Sequence, residues 1–234
     1  MTDSVFLVTG ASSGIGAATA RLAIQQGYRV VLGGRRREVL ERLSGELGGT
    51  SRALAVTCDV TEWEQVRGMV DRATEAYGRL DVAFANAGLW SQTSFVHDPA
   101  PPEEWREMVL TNVYGPAITA RAVLPALLET KGHLVITGSV GGRIPTRGSL
   151  YSATKWAVTG LAQNLRAELA DTGVRVTVVQ PGLVDTGMID PSRAKHPKLR
   201  PDDVARAVLY AVEQPPGVDV NEIVLRPTGQ VWHR

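Results

Sequence analysis

The chain predicts a single doubly wound α/β domain, an open parallel sheet of about seven strands with helices on both faces. Three observations carry that expectation. Short runs rich in Val, Ile and Leu alternate with amphipathic helical stretches from end to end, which is how strands covered on both faces by crossover helices read. The 234 residues, 44% of them hydrophobic, suit one large core. No linker, repeat or shift of composition divides residues 1–234.

In chain order, the apolar runs place strands at Val5–Val8, Arg29–Leu32, Ala53–Thr57, Asp81–Ala85, His133–Thr137, Arg175–Val179 and Glu222–Leu225. Helical stretches fill the gaps at Ile15–Gln26, Arg36–Leu47, Glu62–Tyr77, Glu103–Leu128, Tyr151–Ala170 and Pro201–Gln214. Within Tyr151–Ala170, Val158, Leu161, Leu165 and Leu169 form a stripe at helical spacing, suited to the helix's own sheet. Trp156, Gly160, Gln163 and Ala167 lie on a different face, and an aromatic beside small residues suits contact with a second helix.

Composition narrows the function. Lys+Arg 25 against Asp+Glu 24 leaves a formal net charge of +1, so there is no general electrostatic footprint for nucleic acid. Cys58 stands alone and cannot form an internal disulfide, which points to a reducing compartment and a small buried residue at a strand end. "VFLV" is too short for a signal-peptide core, and no apolar run is long enough to cross a bilayer. A cytoplasmic protein with no membrane partner is expected. His97, His133, His196 and His233 show no metal-ligand spacing, so no metal is expected.

The first chemical signal is "VTGASSGIG", which follows the first strand and opens the first helix. Gly10, Gly14 and Gly16 permit a tight turn and let the backbone approach a pyrophosphate at the helix N-terminus, where free N–H groups favour an anion. The residue five after Gly10 is Ile15, which excludes the NTPase P-loop spacing. The strict G-x-G-x-x-G fingerprint is also absent. A glycine-rich turn can be purely structural, but its place after strand one favours nucleotide binding. The second strand then selects the nucleotide. NAD-binding folds usually end this strand with an acid for the ribose 2′-hydroxyl. Here "VVLGGRRREVL" has no acid before Glu38, and Arg35 and Arg36 stand where the 2′ substituent would lie. Guanidinium groups suit a phosphate, so NADP(H) is favoured over NAD(H).

Together, "TGASSGIG" (9–16), "CDV" (58–60), "NAG" (86–88), Asn112, Ser139, "YSATK" (151–155) and "PGLVDT" (181–186) resemble the classical short-chain dehydrogenases/reductases, in the family's order and over nearly the whole chain. The closing "VNEIVLRPTGQ" (220–230) is similar to the branch of bacterial NADP-dependent 3-hydroxy-acid and related alcohol dehydrogenases. The resemblance implies a Rossmann fold and a catalytic set of Asn112, Ser139, Tyr151 and Lys155. The Tyr151 phenol would exchange a proton with the substrate oxygen. Lys155, one helical turn on, would reach toward that phenol and the cofactor ribose, and its charge would lower the phenol's pKa. Ser139 would orient the substrate oxygen. The Asn112 backbone would hold water in a proton relay, and an asparagine inside a helical stretch hints at a local task.

Cofactor contacts are implied in the same way. Gly10, Ser12, Ser13, Gly14, Ile15 and Gly16 would take the phosphates, Arg35 and Arg36 the 2′-phosphate, and Asp59 and Val60 the adenine. The backbone of Asn86, Ala87 and Gly88 would line the ribose side, with Tyr151 and Lys155 beside it. Pro181, Gly182 and Val184 would frame the nicotinamide, and Thr186 would meet the carboxamide or a phosphate. One departure stands out: Ser139 and Tyr151 are 12 positions apart, one fewer than in many relatives, and the glycine-rich "VGGRIPTRGSL" is able to absorb the difference.

Residues 187–200 lie where the family closes a lid over substrate. Arg193, Lys195, Lys198 and Arg200 there, with Arg143 and Arg147 after Ser139, could grip a carboxylate or be a solvated face. Leu89, Trp90, Leu183, Met188 and Ile189 could line a pocket for neutral ketones or alcohols. The expected function is NADP(H)-dependent hydride transfer on a small alcohol, ketone or hydroxy acid. The rival is a non-catalytic NADP(H)-binding sensor, against which the intact Asn–Ser–Tyr–Lys set argues. The resemblance further implies packing of the Tyr151 and Glu103–Leu128 helices against their copies, giving a homotetramer or homodimer.

Overall fold

The computed structural model describes residues 4–91, 94–96, 100–146, 148–187 and 195–230. Seven parallel strands form one sheet in the order β3-β2-β1-β4-β5-β6-β7: β1 (Val5–Thr9), β2 (Arg29–Gly34), β3 (Ala53–Thr57), β4 (Val82–Ala85), β5 (His133–Thr137), β6 (Arg175–Pro181) and β7 (Glu222–Leu225). Between them run α1 (Gly14–Gln25), α2 (Arg37–Glu46), α3 (Trp63–Tyr77), α4 (Pro102–Val109), α5 (Gly115–Thr130), α6 (Leu150–Leu169) and α7 (Pro201–Val212). This is the doubly wound Rossmann-type domain that the alternation of apolar runs predicts. Among the described residues, no helix is long and apolar enough to cross a membrane.

Two apolar clusters hold the layers together, one on each face. Val5, Leu7, Met69, Ile136, Val158 and Leu165 belong to the first, which joins α3, α5 and α6 to the sheet. Phe6, Val8, Leu32, Phe84, Val204 and Val208 belong to the second, under α1, α2 and α7. Adjacent residues of β1 therefore point into opposite layers, as the two-residue strand period requires. The inward stripe of α6 is as expected: Val158, Leu165 and Leu169 are buried and Leu161 partly so.

Several boundaries differ from the pattern-based expectation: β1 runs on to Thr9, β4 starts at Val82, and β6 runs on to Pro181. The second strand runs two residues further, through Gly33 and Gly34. A Cβ on Gly33 would lie 2.4 Å from Met69 Sδ, so glycine lets the α3 methionine sit on the sheet there. The expected Glu103–Leu128 helix is interrupted. A π-helical turn, Leu110–Tyr114, separates α4 from α5 and is closed by the Gly115 N–H donating to the Leu110 carbonyl. Proline has no N–H, so Pro116 cannot supply the α-type bond that the Asn112 carbonyl would otherwise accept. The strand order reverses between β1 and β4, and in open α/β sheets ligands bind in the crevice beyond the strand C-termini at such a point.

Candidate active site

The crevice is built on a fixed platform. Thr9 Oγ1 accepts from the main-chain N–H of Asn86 (3.0 Å) and Ala87 (3.1 Å). The Asn86 amide donates to Thr9 O, and its Oδ1 accepts from Thr137 Oγ1 at 3.1 Å. One asparagine thus clasps β1, β4 and β5 at their C-terminal ends. The N–H groups of residues 86 and 87 point at Thr9, and Gly88 sits beside Asn112 Oδ1 and Lys155 Nζ. Thr137 was not singled out from sequence, and Thr9 entered only as the first residue of "TGASSGIG".

The glycine loop fits a pyrophosphate. Gly10 and Gly14 have φ of 67° and 54°, the left-handed region that favours glycine. A Cβ on Gly16 would lie 2.3 Å from the Gly10 carbonyl oxygen, so helix and loop could not approach. The first turn of α1 holds no acidic residue, and Ser13 caps none of its N–H groups, leaving a helix N-terminus suited to an anion. The Ser13 hydroxyl instead accepts from Arg36 Nη2 at 2.8 Å, and Ser12 Oγ accepts from Arg36 Nη2 at 2.9 Å and Nε at 3.2 Å. Arg36 therefore folds over the loop. Arg35 turns away, with Nη1 3.3 Å from Glu107 Oε1 on α4 in an exposed pair. It borders a cavity of about 180 Å³ lined also by Asp59, Thr61, Leu110 and Thr111. Asp59 holds that rim by accepting from Thr61 N and Oγ1, while Val60 is buried against Gly115.

The π-turn buries Asn112 completely. Its Oδ1 accepts from Leu89 N at 2.7 Å, and its Nδ2 donates to Leu89 O at 2.8 Å and Thr154 Oγ1 at 3.2 Å. Asn112 therefore pins the loop after β4 to α6 through Thr154, a residue inside "YSATK" that sequence reasoning passed over. Lys155 is 3% exposed. Its Nζ donates to the Thr137 carbonyl at 2.9 Å and lies 5.7 Å from the Tyr151 ring centroid. Burial holds the ammonium well below the ordinary lysine range, at about 8.

Ser139 begins a 3₁₀ turn (Val140–Gly142), its Oγ accepting from Gly141 N. Across the loop that is one residue short, its side chain lies near enough to the Tyr151 phenol to lower the phenol's pKa. Burial pushes the Tyr151 phenol above its usual value, and Ser139 opposes the rise only in part. The net direction is opposite to that expected from a lysine one turn away, because Lys155 is directed at Thr137 and burial dominates.

On the other wall, Val184 pairs with Leu199, and Asp185 N donates to Leu199 O. These contacts tie together the two ends of the segment expected to be a lid. Thr186 stands over the glycine loop, its Cγ2 3.0 Å from where a Gly14 Cβ would be. Arg143 pairs with Glu222 (2.6 Å), Lys198 with Asp185 (3.7 Å) and Arg200 with Asp203 (3.6 Å), so three of the cations proposed to grip a carboxylate have acidic partners. Arg147, Met188, Ile189 and Arg193, with residues 188–194 of the expected lid, lie outside the described residues. Away from the crevice, burial raises the Cys58 thiol to about 12, an inert core group.

Known proteins give the arrangement its context. The short chain dehydrogenase family model matches residues 4–197. An uncharacterized oxidoreductase of Staphylococcus aureus (strain USA300) is 42% identical over 232 residues, spanning 97% of this chain and 98% of the relative. Among solved structures, the alcohol dehydrogenase of the archaeon Thermococcus sibiricus, complexed with 5-hydroxy-NADP, is 32% identical with a TM-score of 0.86 and covers 99% of both chains. Serine dehydrogenase from Escherichia coli is 34% identical with a TM-score of 0.85, over 97% of this chain and all of that one. Other similar structures hold NADH or NAD.

Proposed function

Because the chain belongs to the short chain dehydrogenase family, we propose that it is an NADP(H)-dependent oxidoreductase acting on a secondary alcohol or its carbonyl. The carrying observation is buried Lys155, its Nζ 5.7 Å from the Tyr151 ring centroid and bonded to the Thr137 carbonyl at the C-terminal end of β5, where Ser139 also stands. The nicotinamide, when bound, supplies or accepts the hydride. In reduction the Tyr151 hydroxyl gives its proton to the substrate oxygen as charge develops there, and in oxidation it takes that proton back. Ser139 orients the oxygen by hydrogen bonding. Lys155, cationic below a pKa of about 8, would hold the cofactor ribose and carry its charge beside the phenol when the cofactor is bound. Asn112 supports the proton relay from its π-turn.

NADP(H) is favoured over NAD(H) because Arg36 covers Ser12 and Ser13 where a 2′-phosphate would sit, and β2 does not end in an acid that would repel it. The Gly10–Gly16 loop would hold the pyrophosphate, Asp59 the adenine edge, and Pro181, Gly182, Val184 and Thr186 the nicotinamide side. A neutral ketone or alcohol is the preferred substrate, since Arg143, Lys198 and Arg200 already have acidic partners. A hydroxy acid is the second class, raised by the serine dehydrogenase likeness. Val109, Tyr114, Leu128 and Trp156 are large apolar residues exposed on α4, the π-turn, α5 and α6, which supports a homotetramer, or a homodimer, packed on these helices in the cytoplasm. Following NADPH absorbance over a panel of ketones and 3-oxo acids, and NADP⁺ reduction with the matching alcohols, tests the reading. Tight NADPH binding without turnover on any member would favour the sensor alternative.

A further inference from the structure

The motif glycine at position 182 has a structural cause outside the cofactor. A Cβ there would lie 2.1 Å from Gln230 Oε1 and 3.1 Å from both Arg226 Cγ and Pro227 Cδ. Gly182 N donates to the Leu225 carbonyl at 2.7 Å, and Leu183 N donates to Gln230 Oε1 at 3.3 Å. Gln230 is set for this by a turn in which its own N–H donates to Pro227 O. The segment "RPTGQ" after β7 thus folds back on the strand-end loop that begins at Pro181, and its glutamine occupies the space a side chain at 182 would need.

We infer that Gln230 is a positioning residue for the nicotinamide side of the site, a tether from the C-terminal segment that fixes the main chain of Gly182–Val184. The inference rests on that loop facing the nicotinamide, as proposed above. Leu183 N–H is the first main-chain donor after Gly182, while the Leu183 carbonyl already accepts from Leu199 N at 2.8 Å in the Val184–Leu199 pairing. Without Gln230, Leu183 N–H loses its described acceptor, and the loop keeps only the Gly182 contact to Leu225 and the contacts of the Leu183 carbonyl and Asp185 N–H to Leu199.

The test compares Gln230→Met, which keeps length and removes the acceptor, with Gln230→Glu, which keeps it. Hydrogen exchange at the Leu183 amide, measured without nucleotide, reads the tether directly. NADPH and 2′,5′-ADP affinities by fluorescence and calorimetry read its consequence, because the second ligand lacks the nicotinamide half. Gln230→Met should exchange faster at Leu183 and bind NADPH about three- to tenfold more weakly, the span of one neutral hydrogen bond. Its 2′,5′-ADP affinity should be unchanged, and Gln230→Glu should restore the exchange protection. Gly182→Ala should reproduce the loss and add little to Gln230→Met. Unchanged Leu183 exchange in Gln230→Met, or an equal loss of 2′,5′-ADP affinity, overturns the inference. If wild type binds neither ligand, the nicotinamide reading fails while the exchange result still judges the tether.

Discussion

Lys155→Met should destroy turnover and stabilise the fold. Burial lowers the ammonium from its usual 10.5 to about 8. At about 1.4 kcal/mol per pH unit, that is about 3 kcal/mol of cost at neutral pH. The lysine returns part of it through its bond to the Thr137 carbonyl, worth about 1 kcal/mol. Methionine fills the same volume without charge, so the net gain is about 2 kcal/mol, or roughly 4–8 °C for a chain of this size. The sign with pH follows from the lowered value. Between about pH 8 and 10.5 the unfolded chain carries more protons at this lysine than the folded one, so wild type gains stability relative to the variant across that window. Below it the penalty is constant. Urea unfolding at fixed protein concentration, at pH 7 and at pH 9.5, measures both. A variant less stable than wild type at pH 7, or a gap that does not narrow at pH 9.5, would show that Lys155 does not bear this desolvation cost.

Tyr151→Phe should remove at least about a hundredfold of turnover, since a positioned proton donor contributes on that order, with NADPH affinity within about twofold of wild type. Steady-state rates and fluorescence titration check it, and substantial residual turnover refutes the proton role. Arg36→Ala should weaken NADPH by about tenfold or more and NADH little, because a charge-assisted contact to the 2′-phosphate is worth roughly 1.5–3 kcal/mol. Arg35→Ala should do far less, as Arg35 engages Glu107, and equal losses for the two cofactors in Arg36→Ala would remove the basis for NADP(H).

How much of this was legible in the sequence depends on which interaction sets each feature. β3, β5 and β7 begin and end where the apolar runs do, because each is an unbroken run of residues that suit a strand. The extension of β2 was hidden, since Gly33 and Gly34 lack strand propensity and become strand through pairing with Thr9 on β1 and Val56 and Thr57 on β3. Arg35 and Arg36 were indistinguishable as neighbours. Their roles separate once Ser12 and Ser13 on one side and Glu107 on the other compete for them. Gln230 was out of reach for the same reason: its partner lies 47 residues earlier, and no periodicity links a loop to a tail.

The interruption at Asn112 was half legible, and it yields the last prediction. An asparagine within a long apolar helix pattern marked the place, while the proline four residues later supplies the cause. In α geometry the Asn112 carbonyl accepts from the N–H of residue 116, and proline offers none. The backbone widens instead into the Leu110–Tyr114 π-turn, a form concentrated at functional sites. Pro116→Ala restores the donor. The turn should relax toward α-helix and engage the carbonyl proposed to hold water for the relay. Since the side-chain bonds of Asn112 to Leu89 and Thr154 depend on the widened turn, they should loosen too. Turnover should fall by about tenfold or more through loss of the relay, with 2′,5′-ADP affinity unchanged. The Leu89 amide should lose exchange protection in parallel. Full activity in a Pro116→Ala variant whose Leu89 amide has become exposed would separate the π-turn from the chemistry and refute the relay.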